Sequence, residues 1–366
     1  MIHGWRRFLP VAVAVGVSGV MMVMQVALAM GAFQMAAAPV RMSAGDLWVG
    51  PADARALDHS TGLGPFAASG LWLDPDIARI EPWAQAAYAQ IGDDAMAAQA
   101  SVQPIDAGAG AMGLARVVPP DLRARLAEPG TALIGAADAA KLGVSVGDTL
   151  RVSRQPLRIV GVVPELRTLF GTQLVTSDAT ARALSGEATG TPAFYILRLR
   201  DGADPAEVAE RLMQGNPAPE YVVWPPDDLA SATVQVWALE SGAGTLFIAS
   251  SAIALVITLM VVSQTLGAAV AGQVREYAAL RAYGIGFGSL QMIVMRQGFY
   301  VSIGALGLTA ALSAALLAVL RARNIATDLP LTLAAVVAGL LAGVVLVSNL
   351  FAVRRLRRAD PAALLR

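Results

Sequence analysis

Thr245-Leu-Phe-Ile-Ala-Ser-Ser-Ala-Ile-Ala-Leu-Val-Ile-Thr-Leu-Met-Val-Val-Ser-Gln-Thr-Leu-Gly-Ala-Ala-Val270 contains no Asp, Glu, Lys, Arg or His, and its strongest polar group is the amide of Gln264. A bilayer core about 30 Å thick takes about 20 apolar residues in helical form. This run is longer than that, so it reads as a membrane-spanning helix. Three other stretches have the same character: 8–38, 299–320 and 331–353. The last follows Pro330, a residue whose fixed φ suits the first turn of a helix. Arg6-Arg7 and the small residues Met35-Ala36-Ala37-Ala38 give the first run a superficial likeness to a cleaved leader. Its apolar stretch is about twice the length of a leader's hydrophobic region, so a retained helix is expected.

Composition agrees with a membrane protein. Of 366 residues, 56% are apolar and 15% charged, against about 25% charged in a soluble domain; mean hydropathy is +0.58. The net charge of zero conceals a partition. Residues 40–240 hold 24 of the 27 acidic residues and 15 of the 27 basic ones, a net of −9, and the remainder carries +9. The acidic middle reads as a solvated domain and the basic remainder as membrane-flanking sequence.

Arginine counts in the short loops orient the chain. Arg6, Arg7, Arg275, Arg281, Arg296, Arg354, Arg355, Arg357, Arg358 and Arg366 fall on one side, and only Arg321 and Arg323 on the other. The expected architecture is therefore four transmembrane helices with an α+β periplasmic domain inserted between the first and second. Residues 1–38 form the cytoplasmic N-terminus and first span, 39–242 the periplasmic domain and 243–271 the second span. Residues 272–288 form a cytoplasmic loop, 289–320 the third span, 321–330 a short periplasmic loop, 331–353 the fourth span and 354–366 the cytoplasmic C-terminus. The expected location is a membrane, with both termini on its cytoplasmic side and the acidic domain outside.

Several function classes are excluded or disfavoured. With no cysteine there is no disulfide or thiolate metal site, and His3 and His59 are too isolated to build a metal centre. Lys141 is the sole lysine and lies in no phosphate-binding Gly-rich loop, so ATP is not bound by that route. No basic solvated surface points to nucleic acid, and no acid, base and nucleophile cluster points to a membrane-bound enzyme.

Inside the domain, 149–153 and 157–163 flank Arg154-Gln155-Pro156 and predict a β-hairpin-like pair. Residues 194–199 predict a strand, and 205–213 a helix with Asp204 as N-cap. The Gly, Pro and Ala content of 43–113 gives no readable pattern.

The most informative polar segment is Gly272-Gln-Val-Arg-Glu-Tyr-Ala-Ala-Leu-Arg-Ala-Tyr-Gly284, predicted as a short helix between the second and third spans. Small residues such as Ala278 and Ala282 let a helix seat deeply in a partner's groove. An interfacial helix whose Arg275 and Arg281 meet lipid headgroups is the alternative. Two amides within spans, Gln25 and Gln264, read either as part of a gate or substrate groove or as interhelical hydrogen bonds. Met21 and Met24 contribute an adaptable apolar surface. Ala335, Gly339 and Gly343 repeat at every fourth position and suggest a helix-packing or dimer face. Gly284, Gly286 and Gly288 follow a helix rather than a strand, which argues against a dinucleotide loop.

Arg275-Glu-Tyr-Ala-Ala-Leu-Arg-Ala-Tyr-Gly284 resembles the RE-x-x-x-LRA-x-G signature of FtsX-like, MacB-type permeases, the membrane subunits of mechanotransmission ABC systems. Arg354-Arg-Leu-Arg-Arg-Ala-Asp-Pro-Ala-Ala-Leu-Leu-Arg366 is similar to that family's ending, and 139–163 to its periplasmic domain. Met24-Gln25, Asp46-Leu-Trp-Val49 and Val262-Ser-Gln-Thr-Leu266 are similar to the subgroup that includes the heterocyst glycolipid exporter. The resemblance implies that Arg275, Glu276, Ala278, Ala279, Leu280, Arg281, Ala282 and Gly284 dock a separate ABC ATPase subunit, which holds the ATP and Mg²⁺; this chain itself binds no cofactor. It implies a second permease copy, a periplasmic membrane-fusion adaptor and export of an apolar or lipid-like substrate. The alternative within the family is a signalling subunit that regulates a periplasmic hydrolase and transports nothing.

Overall fold

The computed structural model describes residues 5–58, 62–64, 67–92, 98–168, 171–185, 191–214, 220–272, 283, 286–323 and 325–357. It divides into two compact units, Ala32–Ser241 and Met1–Gly31 with Gly242–Arg366.

Helix α1 (Trp5–Met42) is continuous across that division. It runs four residues past the end expected from the apolar pattern and incorporates Pro39 in its penultimate turn. Proline has no N–H, so the carbonyl of Met35 loses its i+4 donor there. The helix stops at Ser43, whose amide donates to Val40 O at 3.3 Å and whose hydroxyl donates to Pro39 O at 2.8 Å.

The Ala32–Ser241 unit contains β1 (Leu47–Pro51), α2 (Ala67–Leu71), β2 (Ile77–Trp83), β3 (Ala87–Ile91), β4 (Ala98–Ile105), α3 (Pro120–Arg125), β5 (Thr131–Gly135) and α4 (Ala136–Leu142). It continues with β6 (Thr149–Val152), β7 (Gln155–Val163), β8 (Thr172–Ser177), α5 (Asp178–Ser185), β9 (Phe194–Leu199), α6 (Pro205–Gln214), β10 (Tyr221–Trp224) and α7 (Pro226–Leu239). These strands form a four-stranded antiparallel sheet, β10-β1-β9-β2, and a closed six-stranded barrel, β3-β4-β8-β5-β7-β6.

Alternation along β1 and β9 explains why the sheet is buried on both faces. Leu47, Val49, Tyr195 and Leu197 point to one side, where Val208 and Leu212 of α6 cover them. Trp48, Phe194 and Ile196 point to the other and share a core with Leu133 and Val175 from the outside of the barrel. Trp48 sits edge-on to Trp83 and Phe194, with ring centroids 5.5 and 6.1 Å apart. Ala100, Val102, Ala132, Ile134, Leu157, Ile159 and Leu174 fill the barrel interior. Its closing seam sets Ile91 opposite Val152, flanked by Gly92 N donating to Arg151 O at 2.9 Å and Ser153 N to Gln90 O at 2.8 Å.

The predicted hairpin is β6–β7, paired from Thr149–Arg158 to Val152–Gln155. The predicted strand at 194–199 is β9, and α6 begins where Asp204 Oδ1 accepts from Ala206 N at 2.9 Å. The unreadable stretch 43–113 supplies β1 to β4.

Among the described residues three long helices follow: α8 (Gly242–Ala271), α9 (Phe287–Ala322) and α10 (Leu331–Arg357). Among the described residues, four stretches are long and apolar enough to cross a membrane: Ala12–Met42, Gly242–Thr265, Ile303–Ala322 and Leu331–Ser348. An α+β domain thus sits between the first and second of four candidate membrane helices. Met22, Val23, Met24 and Ala27 of α1 pack with Leu317 of α9 and with Val337 and Leu341 of α10. Two glycines allow this approach. A Cβ on Gly16 would lie 2.8 Å from Leu308 Cδ2, and one on Gly19 would lie 2.5 Å from Thr309 Oγ1 and 2.9 Å from Leu341 Cδ1. Farther along α1, Asp328 N donates to Ala27 O at 3.0 Å, and a Cβ on Gly31 would meet the Ala326 carbonyl oxygen.

Candidate functional site

The end of α1 is not left to fray. Helices end with carbonyls that lack intrahelical donors, and here Arg116 supplies two: its amide donates to Met42 O at 2.9 Å and its guanidinium to Arg41 O at 3.2 Å. Ala44 N donates to Met112 O at 2.9 Å, and Leu114 N to Ser43 Oγ at 3.1 Å. Loop 106–116 therefore holds the terminus of α1 through three of its residues, Met112, Leu114 and Arg116.

That loop is itself braced. Arg79 and Glu81 lie two apart on β2 and so reach toward the same side. The Glu81 carboxylate accepts from the amides of Met112 and Gly113, the latter at 2.9 Å. Arg79 donates to Asp106 Oδ2 at 2.9 Å and to Ala109 O at 2.8 Å. From α3, buried Arg123 donates to Asp106 O at 2.7 Å and to Gly113 O. Burial pushes the Glu81 carboxyl up from its ordinary value, against the pull of the two amides; it also works against the charge of Arg123, which nearby Glu81 and Asp106 favour. A buried carboxylate and a buried guanidinium that each close on backbone groups make a stiff connection, because releasing either strands a polar group.

Another contact within the domain lies nearby. In α7, which leads into α8, Thr233 Oγ1 accepts from Leu57 N at 3.1 Å and Trp237 Nε1 donates to Asp58 Oδ2 at 3.2 Å. Between these anchors lies a cavity of about 260 Å³. Met35, Pro39 and Met42 of α1 form one wall, and Trp83, Leu114 and Trp237 extend it. Gln85, Ser101, Gln103 and Gln173 line the opposite, polar part. Among the described residues, no group of three metal-ligating side chains forms.

The residues singled out from sequence are not gathered here. Arg275, Glu276, Ala278, Ala279, Leu280, Arg281, Ala282 and Gly284 lie outside the described residues. Met24 is buried in the helix-packing cluster and Met21 is exposed. Gln25 is half-buried, with its Oε1 shielded and without a partner among the described residues, and Gln264 is exposed on α8; no hydrogen bond joins the two amides. A Cβ on Gly339 or Gly343 would meet nothing within 4 Å, so that face of α10 is open in the single chain. The joint residues Glu81, Arg116 and Arg123 carried no sequence signal beyond charge inside an irregular stretch. Pro82 beside Glu81 masked the strand that holds it.

A family model described as the MacB-like periplasmic core domain matches residues 11–214. Among curated proteins none matches the chain. Similar solved structures include the periplasmic region of MacB from Actinobacillus actinomycetemcomitans, at 11% identity and TM-score 0.34, covering 52% of this chain and 94% of that one. Another is the extracellular domain of the noncanonic ABC-type transporter YknZ from Gram-positive bacteria, at 13% identity and TM-score 0.31, covering 49% and 98%.

Proposed function

Because this chain belongs to the MacB-like periplasmic core domain family, we propose that it is the membrane subunit of an ABC-type exporter driven by a separate ATPase. The observation that carries this reading is the extent of the family match. It begins within the first membrane helix and covers the whole barrel and three of the four strands of the sheet, β1, β2 and β9, so helix and domain belong together as a unit of the family.

In this account the domain is periplasmic and both termini are cytoplasmic, as the arginine distribution requires. Segment 275–284 docks the ATPase, which carries ATP and Mg²⁺. Two copies form the membrane unit, and a membrane-fusion adaptor engages the periplasmic domain. Closure of the ATPase moves the membrane helices, and the braced end of α1 passes that movement into the domain. The substrate is an apolar or lipid-like molecule. Support for transmission through α1 is the pair of carbonyls at Arg41 and Met42 that Arg116 satisfies, since a capped helix end bonded to the domain moves with it.

Hydrolysis and topology test the proposal together. The purified chain should not turn over ATP, and adding its ABC ATPase should produce vanadate-sensitive hydrolysis. Single cysteines placed in this cysteine-free chain at Asp148 should react with an impermeant thiol reagent in intact cells, and those at Arg281 or Arg357 only after permeabilisation. Turnover by the chain alone, or labelling of all three positions in intact cells, contradicts the proposal.

A further inference from the structure

We propose that the open edge of β3 takes up an extended peptide segment of another protein by strand addition, with a carboxylate of that peptide facing Arg154. Such binding needs only the barrel and does not rest on the exporter reading.

The edge follows from register. Along an antiparallel pair, residues alternate between bonding their neighbour strand and facing away from it. Gln90 O accepts from Ser153 N at 2.8 Å and Gly92 N donates to Arg151 O at 2.9 Å, so the even-numbered residues of β3 turn their backbone groups toward β6. Tyr88 keeps that phase, but β6 ends at Val152 and Ser153-Arg154 turn the chain back into β7. Among the described residues, the N–H and C=O of Tyr88 therefore have no partner. Ala87-Tyr88-Ala89 has no charge, proline or bulge, the usual guards of an edge. Tyr88 is 68% exposed.

Arg154 supplies the charge. It lies in the turn where β6 leaves the seam, at the point a strand added along Tyr88 would abut. Its φ of +66° puts a non-glycine residue in the left-handed region, at a cost of about 1–2 kcal/mol. Strain kept at a residue points to a use for that residue. On the same hairpin Arg158 is paired with Glu128 and Arg151 is also engaged, whereas Arg154 is exposed and has no ion pair among the described residues. A residue of the added strand opposite Tyr88 would share the tyrosine's face. That face borders the 260 Å³ cavity whose lining includes Trp83, Tyr88, Ser101, Arg167 and Trp237. Main-chain bonds would give affinity, and the cavity a side-chain preference.

The test uses the full chain in detergent, without any ATPase, and fluorescent nonapeptides of alternating valine and threonine read by anisotropy. One carries a central glutamate, a second has glutamine in its place, and a third keeps the glutamate but has its backbone amides methylated. The glutamate peptide should bind about three-fold tighter than the glutamine peptide, the scale of an exposed ion pair, and methylation should abolish binding. Arg154→Gly should erase the difference between the first two while raising the unfolding midpoint, opposite signs that a merely structural arginine would not give. Tyr88→Pro removes an outward N–H, a change an edge strand tolerates, and should weaken binding about five-fold, the scale of one hydrogen bond; Tyr88→Phe should not. No binding at about 1 mM peptide, equal affinity for the glutamate and glutamine peptides, binding that survives methylation, or indifference to Tyr88→Pro overturns the proposal. The exporter reading can fail its hydrolysis test while this binding persists, and the reverse, so the two are separable.

Discussion

The backbone amide of Arg116 donates to the carbonyl of Met42 at 2.9 Å, and through this bond the last turn of a membrane-spanning helix is held by a loop of the α+β domain. The loop is rigid because Glu81 and Arg123 grip its backbone from two elements, β2 and α3. Stiffness at this point is what a machine that transmits force through α1 requires.

Glu81 gives the first prediction. Replacing it by Gln leaves one acceptor oxygen for the amides of Met112 and Gly113 and turns an N–H toward the other. Stranding a buried donor costs about 1–3 kcal/mol, to be read as a lower unfolding midpoint of the full-length protein in detergent, with Trp83 fluorescence as the local reporter. The pH dependence follows from sign. Burial raises the folded carboxyl above its ordinary 4.5, so the group favours folding fully below that value and less as pH rises through the raised one. Domain stability should therefore decline as pH climbs above 4.5, and Glu81→Gln should flatten that slope. A slope unchanged in the variant would count against the buried joint.

The turn between β6 and β7 gives the second. Ser153 and Arg154 have φ of +48° and +66°, the left-handed pair that a two-residue hairpin demands and that Asn-Gly adopts most readily. Holding a non-glycine residue there costs about 1–2 kcal/mol. Ser153→Asn with Arg154→Gly should raise the unfolding midpoint, while Ser153→Pro should lower it by removing the amide that donates to Gln90 O at 2.8 Å. No gain in the first variant would mean the strain is relieved elsewhere.

The small residues of the membrane helices give the third. Gly19→Val should overpack against Thr309 and Leu341 at a cost of about 1–3 kcal/mol, lowering stability whatever the oligomeric state. Gly339→Val and Gly343→Val meet nothing within the chain, so they should leave the monomer's stability unchanged and reduce the dimer fraction by crosslinking. Loss of monomer stability in both classes alike would refute an open face on α10.

How much of this was legible in sequence depended on which faces water reaches. β7 shows its pattern because exposed Arg158 alternates with buried Leu157 and Ile159, and α6 shows its because Asp204 announces its start. β1 was illegible: all of Leu47–Pro51 is buried, and period-two contrast vanishes when both faces of a strand are covered. β2 hid behind Pro82 and an interior carboxylate, two residues that argue against a strand until Gly113 and Met112 are seen to use the charge. The closed barrel depends on the long-range Ile91–Val152 pair, which nothing local encodes. Four-residue spacing of small residues pointed to α10, but Gly16 and Gly19 of α1, three apart, are the ones another helix presses against within the chain. Arg79, Glu81 and most of loop 106–116 lay in the stretch without pattern, and Arg116 and Arg123 just beyond it act on backbone groups whose positions only the fold supplies.

The coupling segment 275–284 decides the account most directly. The chain and its ABC ATPase would be co-reconstituted in vesicles, and vanadate-sensitive hydrolysis and co-purification measured for the wild type, Ala278→Trp and Glu276→Lys. A large side chain in a close-fitting contact costs about 1–3 kcal/mol, so Ala278→Trp should weaken docking about 30-fold at the midpoint of that range. Glu276→Lys should impair it most at low salt, where an exposed charge contact is least screened. Both variants should insert normally. Undiminished hydrolysis and co-purification in both would contradict the claim that this chain is driven by an ATPase through that segment.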